Sequence, residues 1–210
     1  GIHEGALHAL LVRRGIAPHV GKWAIPGGFV LTDETLDHAA TRELTEETGA
    51  RIPSAYIEQL YTFGAVRRDP RGRVISVTHM ALVDAATITP RGASDAAEAA
   101  WVPMANIPAL AFDHNAIIKY ALQRLRYKLE YTNVMYAAMA AKFTLSELQQ
   151  AYEAVLDKPL DKRNFRKKLV SLGFVKPLQQ WTQPEKGRPA QLWRFVKREP
   201  LLVKTFVTKA

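Results

Sequence analysis

Residues 28 to 50 read GFVLTDETLDHAATRELTEETGA, and this stretch decides the fold of the first part of the chain. Thr35 to Glu47 contains neither proline nor glycine, and Gly49 is suited to the left-handed position just past a helix C-terminus. The stretch therefore predicts a helix that ends in an acidic run.

Three carboxylates share one side of this predicted helix. At about 100° per residue, Glu43, Glu46 and Glu47 fall within an arc of roughly 100°, towards the apolar residues. Charge beside an apolar face is costly, and the helix dipole disfavours anions in the last turn. A divalent cation relieves both penalties, and carboxylate oxygens suit Mg²⁺ or Mn²⁺ with substrate phosphates completing the shell. The alternative interpretation is a solvated acidic helix.

The spacing of the stretch resembles the Nudix hydrolase box. In that family a glycine is followed after five residues by a glutamate. Seven residues later come Arg-Glu, a bulky apolar residue, any residue, Glu-Glu, any residue and glycine. Gly28, Glu34 and residues 42–49 match each of these positions, and Ala50 is smaller than the residue the family prefers. The resemblance implies an α/β fold, specifically the α+β Nudix sandwich.

The resemblance also implies a role for each matched residue. Glu43, Glu46 and Glu47 hold the metal, and Arg42 orients a carboxylate. Glu34 either supports these ligands from behind or is an occasional ligand itself. The implied reaction is attack of water on a diphosphate linked to a nucleoside, with metal ions polarising the phosphoryl oxygens. The general base varies in position within the family. Its candidates here are Glu98, Asp95 and Glu46.

Length and composition exclude several classes of protein. The 210 residues suffice for one large or two small domains. There is no cysteine, which excludes disulfides and thiolate zinc sites. No apolar run approaches the roughly 20 residues needed to cross a bilayer, and no signal peptide is visible. We expect a cytoplasmic protein without a membrane association.

Charge divides the chain. Residues 1–141 hold 14 Lys+Arg and 14 Asp+Glu, whereas residues 142–210 hold 15 Lys+Arg and 6 Asp+Glu, so the net charge of +9 lies in the last third. This asymmetry predicts two units, one of which faces a polyanion. The predicted division is a Nudix domain over 1–130, a connector over 131–142 and a second domain over 143–210.

The first unit is predicted to mix strands and a helix. Residues 1–5 suggest a hairpin turn, and a Nudix domain usually has one more strand before this point, so we expect the N-terminus to have been trimmed. The other predicted elements are strands at Ala6–Arg13, Lys22–Ile25, Tyr56–Phe63, Val74–Asp84 and Trp101–Pro103, and a helix at Asn115–Tyr127.

A loop with four arginines joins two of these strands. Guanidinium groups bind phosphates and carboxylates through paired hydrogen bonds, so this loop is a candidate for the diphosphate or ribose of a ligand. The alternative is a solvated turn. The text FGAVRRDPRGRVISV resembles the equivalent loop of ADP-ribose-type Nudix proteins. The candidate ligand-binding residues are Arg67, Arg68, Arg71 and Arg73.

The second unit has a different pattern. Thr144 to Glu147 forms a capping box that predicts a helix to about Leu156. Asp161 can cap a second helix over Lys162–Leu172, which Gly173 ends. Its predicted core stripe is Phe165, Leu169 and Leu172. Two β-like stretches follow, Val175–Trp181 and Ala190–Val196, joined by a basic loop.

Two helices joined by a tight turn and followed by a hairpin with a basic tip describe a winged helix-turn-helix. The second helix would enter a DNA major groove, and the wing would contact phosphate or the minor groove. The alternatives are a basic helix that keeps a small domain in solution and a protein-binding module. The candidate DNA-binding residues are Lys162, Arg163, Asn164, Arg166, Lys167, Lys186 and Arg188.

The whole chain resembles the Nudix-related transcriptional regulators of NAD metabolism, because FTLSELQQAYEAVL, DKPLDKRNFRKKLVSLGF and GRPAQLWRF follow a Nudix box in this order. The resemblance implies a homodimeric repressor of NAD biosynthesis or salvage genes that leaves its operator DNA when ADP-ribose binds. Many such regulators have degraded boxes, whereas this box is complete. A Mg²⁺-dependent ADP-ribose diphosphatase that makes AMP and ribose 5-phosphate is therefore the second hypothesis. An adaptor that binds a protein partner is the third.

Overall fold

The computed structural model describes residues 1–50, 56–92, 96–183 and 188–202. Within these ranges the strands are β1 (Ile2–His3), β2 (Ala6–Arg14), β3 (Trp23–Ala24), β4 (Tyr56–Phe63), β5 (Ser76–Leu82), β6 (Ala96–Pro103), β7 (Phe143–Thr144), β8 (Val175–Trp181) and β9 (Gln191–Phe195). The α-helices are α1 (Leu36–Thr48), α2 (His114–Tyr131), α3 (Leu145–Leu156) and α4 (Lys162–Ser171).

Strand β2 organises the first sheet. It pairs antiparallel with β6 along most of its length, and with β1 and β3 at its two ends. The predicted hairpin turn is confirmed, since Glu4 and Gly5 both have positive φ, 48° and 75°, between β1 and β2. Strands β4 and β5 form a separate antiparallel pair, with a register shift between Gln59 and Tyr61.

The predicted helices of the first unit are confirmed with small changes in their ends. Helix α1 begins after Thr35, whose hydroxyl accepts a hydrogen bond from the His38 backbone. It ends at Gly49, which has a φ of 67° and donates to the Thr45 carbonyl. Helix α2 extends the predicted range by one residue at its start and by four at its end.

One strand is longer than its sequence suggests. The prediction covered only Trp101–Pro103, whereas β6 already begins at Ala96, within an alanine-rich segment of low β-propensity. The pairing runs from His8 opposite Pro103 to Arg14 opposite Ala96. Tertiary pairing with β2 therefore overrides the local preference of these alanines.

The winged helix-turn-helix arrangement is confirmed. Thr144 and Glu147 form the capping box at the start of α3, and the Asp161 side chain caps α4. The turn between the helices is held by Glu153, whose carboxylate accepts from the Leu160 backbone at 2.8 Å. Strand β7, which precedes α3, pairs with β9, and β9 pairs with β8, so the three strands form an antiparallel sheet in the order β7, β9, β8. Strands β8 and β9, which follow α4, make the wing.

One hydrophobic cluster joins the two units. Residues 134–139, which follow α2, are all buried, and Met135 is fully buried. They belong to the same cluster as residues from the first sheets and from the second unit. The predicted core stripe of α4 is confirmed, since Leu169 is buried in this cluster and Phe165 and Leu172 pack against it. The two units therefore share a core.

Polar contacts strengthen this junction. The fully buried Asn133 side chain donates to the Glu199 carbonyl at 3.1 Å and accepts from the Leu201 backbone at 2.7 Å. Arg126 of α2 donates to the carbonyl of Val155 in α3 at 2.8 Å.

Of the helices that the structure describes, none is long and apolar enough to cross a membrane.

We expect Leu148→Ala to destabilise the whole chain by about 2–5 kcal/mol, because it leaves a cavity in the shared core. Leu148 is fully buried, and Val66 is 75% exposed. Val66→Ala is the control and should change the free energy of unfolding by less than about 0.5 kcal/mol. Urea denaturation followed by circular dichroism measures both. Two separate transitions, only one of them shifted, would contradict a shared core.

Candidate functional site

Arg42 organises the acidic residues of the box. Its guanidinium donates twice to Glu34, at 2.6 and 2.9 Å, so this pair is bidentate. One of its nitrogens, Nη1, also donates to Glu43 at 2.8 Å and to Glu46 at 3.0 Å. Glu34 and Glu43 are largely buried, whereas the Glu46 side chain is 51% exposed. A single cation therefore draws three carboxylates together.

The ionisation of Glu34 follows from these contacts. The side-chain hydrogen bonds from Arg42, followed by the hydrogen bond from the Leu31 backbone at 2.8 Å, lower the pKa of Glu34 to about 2. The Glu34 carboxylate in turn raises the pKa of Arg42 above its usual value. Both groups are charged throughout the physiological range, so Glu34 anchors the loop that precedes α1.

The glycine-containing bend before the box lies against the helix end. Glu47 accepts a hydrogen bond from the Gly27 backbone at 2.9 Å. A Cβ added to Gly28 would overlap the Glu43 carboxylate. A side chain at position 28 would therefore force the Glu43 carboxylate to move.

The donor set of the box fits a hard divalent cation. Three carboxylates, those of Glu34, Glu43 and Glu46, share one guanidinium, so negative charge remains in excess. Glu47 lies one residue beyond Glu46 and accepts from the Gly27 backbone. Carboxylate oxygens are the ligands that such cations prefer. Within the described ranges, no group of three or more Asp, Glu or His side chains is positioned to hold a metal ion. Glu43 and Glu46 instead point to Arg42.

Two of the four loop arginines are held by carboxylates of the protein. Arg68 is buried and forms a bidentate pair with Asp113 at 2.7 and 2.9 Å, and it also donates to Ser76. Arg71 pairs with the buried carboxylate of Asp69, which lowers the pKa of Asp69 to about 2. Arg68 therefore fixes the loop to the start of α2.

The other two loop arginines differ in their surroundings. Arg73 donates to the carbonyls of Gly64 and Ala65, which closes the loop at its base. Arg67 is exposed and lines an open cavity of about 370 Å³. The cavity is bordered by the cationic Lys22 and by Phe112. Arg68 lines the cavity too, but it is paired with Asp113, whereas Arg67 forms no ion pair with any carboxylate among the described residues.

Aromatic contacts connect the cavity to the box. The Arg71 guanidinium carbon lies 5.5 Å from the ring centroids of both Phe29, which follows the box glycine, and Phe112. His114 accepts a hydrogen bond from the Ile25 backbone, and burial lowers the pKa of His114 to about 4. Arg71 thus links Phe112, which lines the cavity, to Phe29, which lies two residues after Gly27, the backbone partner of Glu47 in the acidic cluster.

Sequence reasoning did not assign His19, Lys22, Phe29 or Asp113 to this region. Asp113 had one detectable signal in the sequence, because it lies two residues before the helix predicted at Asn115–Tyr127. The pairing of Asp113 with Arg68 spans 45 residues, and no local pattern reports such a contact.

Of the general-base candidates, Glu98 lies on β6, half exposed and 3.6 Å from Arg13. Glu46 is bound to Arg42, and Asp95 lies outside the described residues.

Helix α4 presents a basic surface. The residues exposed on this surface are Lys162, Arg163, Asn164, Lys167 and Lys168. Within the described residues, no carboxylate forms an ion pair with any of these cations. This surface can hold an anion without breaking an internal salt bridge.

Arg166 differs from its neighbours. It is partly buried, and its Nη2 donates to the Ser146 hydroxyl at 3.3 Å, at the start of α3. Its Nε is buried and makes no hydrogen bond within the described structure. Arg166 therefore packs between the two helices of the helix-turn-helix. On the wing, Arg188 is exposed, and Lys186 lies outside the described residues.

Family models match both parts of the chain. A model described as the NUDIX domain matches residues 2–125, and one described as the NrtR DNA-binding winged helix domain matches residues 135–195. The protein of Acinetobacter baylyi named ADPR responsive transcriptional repressor NtrR is 36% identical over 202 residues, which cover 94% of this chain and 79% of the relative. An ADP-ribose pyrophosphatase of Methanocaldococcus jannaschii is 41% identical over 119 residues, covering 57% of this chain and 68% of the relative.

Solved structures show the same arrangement. The NrtR protein of Shewanella oneidensis complexed with a 27mer DNA superimposes with a TM-score of 0.78 at 34% identity, covering 94% of this chain and 90% of that one. The NUDIX domain of the same protein complexed with ADP ribose superimposes with a TM-score of 0.51 at 36% identity. It covers 59% of this chain and 80% of that one.

We expect Arg68→Ala to lower the free energy of unfolding by about 3 kcal/mol, because it leaves the Asp113 carboxylate without its buried partner. Arg67→Ala is the matched control from the same loop, and its exposed side chain should contribute less than about 0.5 kcal/mol. Chemical denaturation of both variants tests this difference. Equal effects of the two substitutions would show that Arg68 does not anchor the loop.

Proposed function

Since this chain belongs to the NrtR family of Nudix-related transcriptional regulators, we propose that it represses genes of NAD biosynthesis or salvage. It binds operator DNA through its winged helix domain, and ADP-ribose bound in the Nudix domain releases it. The observation that carries the proposal is the basic surface of α4, whose cations form no ion pair with any described carboxylate, in a chain that also keeps a complete Nudix box. Since its proposed target is DNA, the proposed location of the protein is the cytoplasm.

The effector site is proposed to lie where the box and the loop cavity adjoin. Arg67 and Lys22 supply positive charge for a diphosphate, and the Phe112 ring supplies an apolar surface for a ribose or a base. Arg71 and Arg73 hold the loop in place through Asp69 and the Gly64 carbonyl. Arg68 acts in the same way through Asp113.

A divalent cation, Mg²⁺ or Mn²⁺, is proposed to be held by Glu43, Glu46 and Glu47, where it would neutralise and polarise phosphoryl oxygens. Arg42 positions Glu43 and Glu46 and is itself fixed by Glu34. Glu47 keeps the Gly27 bend against the helix end. These contacts place several carboxylates beside a cavity lined by cations. A diphosphate with a bound divalent cation needs both, because the carboxylates bind the metal and the cations bind the phosphates.

DNA binding is assigned to the exposed residues of α4 and of the wing. Lys162, Arg163, Asn164 and Lys167 face the major groove, and Arg188 contacts the backbone, with Lys186 proposed beside it. Arg166 is better placed to hold α4 against α3 than to reach a base, because of its contact with Ser146. A homodimer would read two half-sites about 34–36 Å apart, or a multiple of this distance.

Coupling between the two sites requires ADP-ribose and DNA to favour different conformations. The shared core supplies a physical route. The loop cavity includes Asp113, the residue before α2, and α2 leads to buried residues 134–139 that pack with the winged helix domain. A small shift of α2 on effector binding would change the distance between the two α4 helices of a dimer.

In a gel shift with DNA from upstream of the protein's own gene, we expect binding that ADP-ribose with Mg²⁺ reverses. If about 6 phosphates are neutralised, log K falls with log salt at a slope of roughly −5. Arg163→Gln should weaken binding and reduce the slope by about one per subunit, because it removes a phosphate or base contact.

Lys119→Gln is the matched control, since Lys119 is an exposed cation on α2. This substitution also removes one positive charge, but at a position outside α4, and it should leave DNA binding unchanged. Equal losses in both variants would indicate a general charge effect, and a flat salt slope would contradict operator recognition. An effector that leaves the DNA complex intact would contradict the repressor mechanism.

Hydrolysis of ADP-ribose is the second candidate function, favoured by the completeness of the box at Glu43, Glu46 and Glu47. Incubation with ADP-ribose and Mg²⁺ should then release AMP, measured by chromatography, and Glu43→Gln should abolish it because a metal ligand is lost. Glu130→Gln, an exposed carboxylate on α2, is the control and should keep full activity. Binding of ADP-ribose by the unmodified protein without AMP release would leave the sensor role alone.

A further inference from the structure

Asp113 lies at the N-terminal end of α2 but does not cap this helix. In α1, α3 and α4 the equivalent residue is Thr35, Thr144 or Asp161, and its side chain accepts a hydrogen bond from the backbone N–H three residues later. Aspartate is one of the best capping residues, yet the Asp113 side chain makes no capping hydrogen bond. Its carboxylate instead accepts from Arg68 at 2.7 and 2.9 Å. The Asp113 side chain is therefore suited to two partners and is bound to one of them.

The backbone of Asp113 also differs from that of a capping residue. Thr35, Thr144 and Asp161 are extended, with ψ of 162°, 154° and 118°, whereas Asp113 has a φ of −96° and a ψ of 19°. Phe112, immediately before it, has a φ of 53°, a left-handed conformation that is rare and costly for a large side chain. The present pairing and the capping of α2 thus correspond to two different backbone conformations at residues 112–113.

Both members of the pair line the candidate effector cavity. Arg68 and Asp113 border it together with Lys22, Arg67 and Phe112. The Arg68 side chain is almost fully buried, with 4% exposed, whereas the Asp113 side chain is 23% exposed. A guanidinium binds a phosphate with the same paired N–H groups that bind a carboxylate. An anionic ligand in this cavity therefore competes with Asp113 for Arg68.

An exchange of partners leaves neither charge alone. Arg68 keeps an anion, since a phosphate replaces the carboxylate, and its Nη1 still donates to the Ser76 hydroxyl, now at 2.6 Å. Asp113 gains the N-terminal end of α2, where the helix dipole favours a negative charge and a first-turn N–H donates to it. The first turn of α2 contains no other acidic side chain. Because breaking a buried pair without replacement is strongly unfavourable, the exchange needs the ligand.

Resting on the proposed effector site, we propose that Asp113 couples effector binding to α2 by exchanging one partner for the other. Without effector, Asp113 holds Arg68. When the diphosphate of the effector binds Arg68, the Asp113 carboxylate turns to the Ala116 N–H and the backbone at residue 113 becomes extended. In the present structure this N–H donates to the Asp113 carbonyl oxygen at 2.9 Å. The effector thus replaces a link between the loop and α2 by a cap within α2.

Helix α2 carries the change to the second unit. It has 18 residues, a length of about 27 Å at 1.5 Å per residue. Towards its far end Arg126 donates to the Val155 carbonyl of α3 at 2.8 Å, and the buried residues 134–139 follow the helix. A rotation of the backbone at residue 113 displaces the first turn of α2. The displacement reaches the winged helix domain through the contacts at the far end.

The test compares two substitutions of Asp113 in the full-length chain. Asparagine also caps helices but has no charge with which to hold Arg68, so Asp113→Asn should adopt the effector-bound arrangement without effector. Its affinity for the upstream DNA should fall about fivefold, the factor that corresponds to one helix cap, and its affinity for ADP-ribose should rise equally. Asp113→Ala frees Arg68 but cannot cap α2. It should bind DNA about fivefold more tightly than Asp113→Asn, and ADP-ribose should no longer release it.

Fluorescence anisotropy of labelled DNA, with and without ADP-ribose and Mg²⁺, measures these affinities at a temperature where circular dichroism shows each variant folded. Glu130→Gln, which removes an exposed carboxylate from α2, is the control and should bind DNA and be released like the unmodified protein. A crystal structure of the unmodified protein with ADP-ribose tests the exchange even if a variant does not fold. It should show the Asp113 carboxylate on the Ala116 N–H instead of Arg68.

Two results would overturn the inference and leave the proposed function intact, provided that ADP-ribose still releases the unmodified protein from DNA. One is equal DNA affinity of the two Asp113 variants, and the other is an Asp113–Arg68 pair that persists in the ADP-ribose complex. Failure of ADP-ribose to release the unmodified protein would overturn the proposed function and the inference with it.

Discussion

The buried segment at residues 134–139 is the constraint on which the rest of the structure depends. It follows α2 and lies in a cluster that contains Leu7 and Leu82 from the first unit and Leu148 and Phe195 from the second. Packed interiors transmit displacements because they have few voids to absorb them. A chain with two independent cores joined by a linker would have no such route. In this protein the cluster that contains residues 134–139 joins the two units, and α2 leads into it from the smaller cluster around Ala111 beside the candidate effector site.

Charge is arranged differently in the two units. In the Nudix domain, Arg42 concentrates carboxylates, and Asp69 and Asp113 hold two arginines of the neighbouring loop, so each group has a partner of opposite sign. In the winged helix domain the cations of α4 are without acidic partners among the described residues. The first arrangement preorganises a site for a small ligand. The second leaves charge available to a polyanion, at some cost to the stability of the domain alone.

Most of the secondary structure followed from local patterns. Both helices of the second unit begin at the predicted caps, Thr144 and Asp161, because a cap depends on a side chain and a backbone N–H only two or three residues apart. Strands β4 and β8 have the predicted bounds. The start of β6 was missed, because Ala96 becomes part of a strand through pairing with a residue 82 positions away. The pairing of Arg68 with Asp113 was missed for the same reason.

The sequence by itself determined the domain types, the acidic helix with its Nudix spacing, and the basic character of the last third. These are properties of composition and of spacing over a few residues, so they can be read along the chain. Only the tertiary structure decided which arginines are engaged by carboxylates and which face a cavity. It also decided that Arg166 packs against α3. Such outcomes depend on contacts between distant segments and on strand register, which local sequence does not encode.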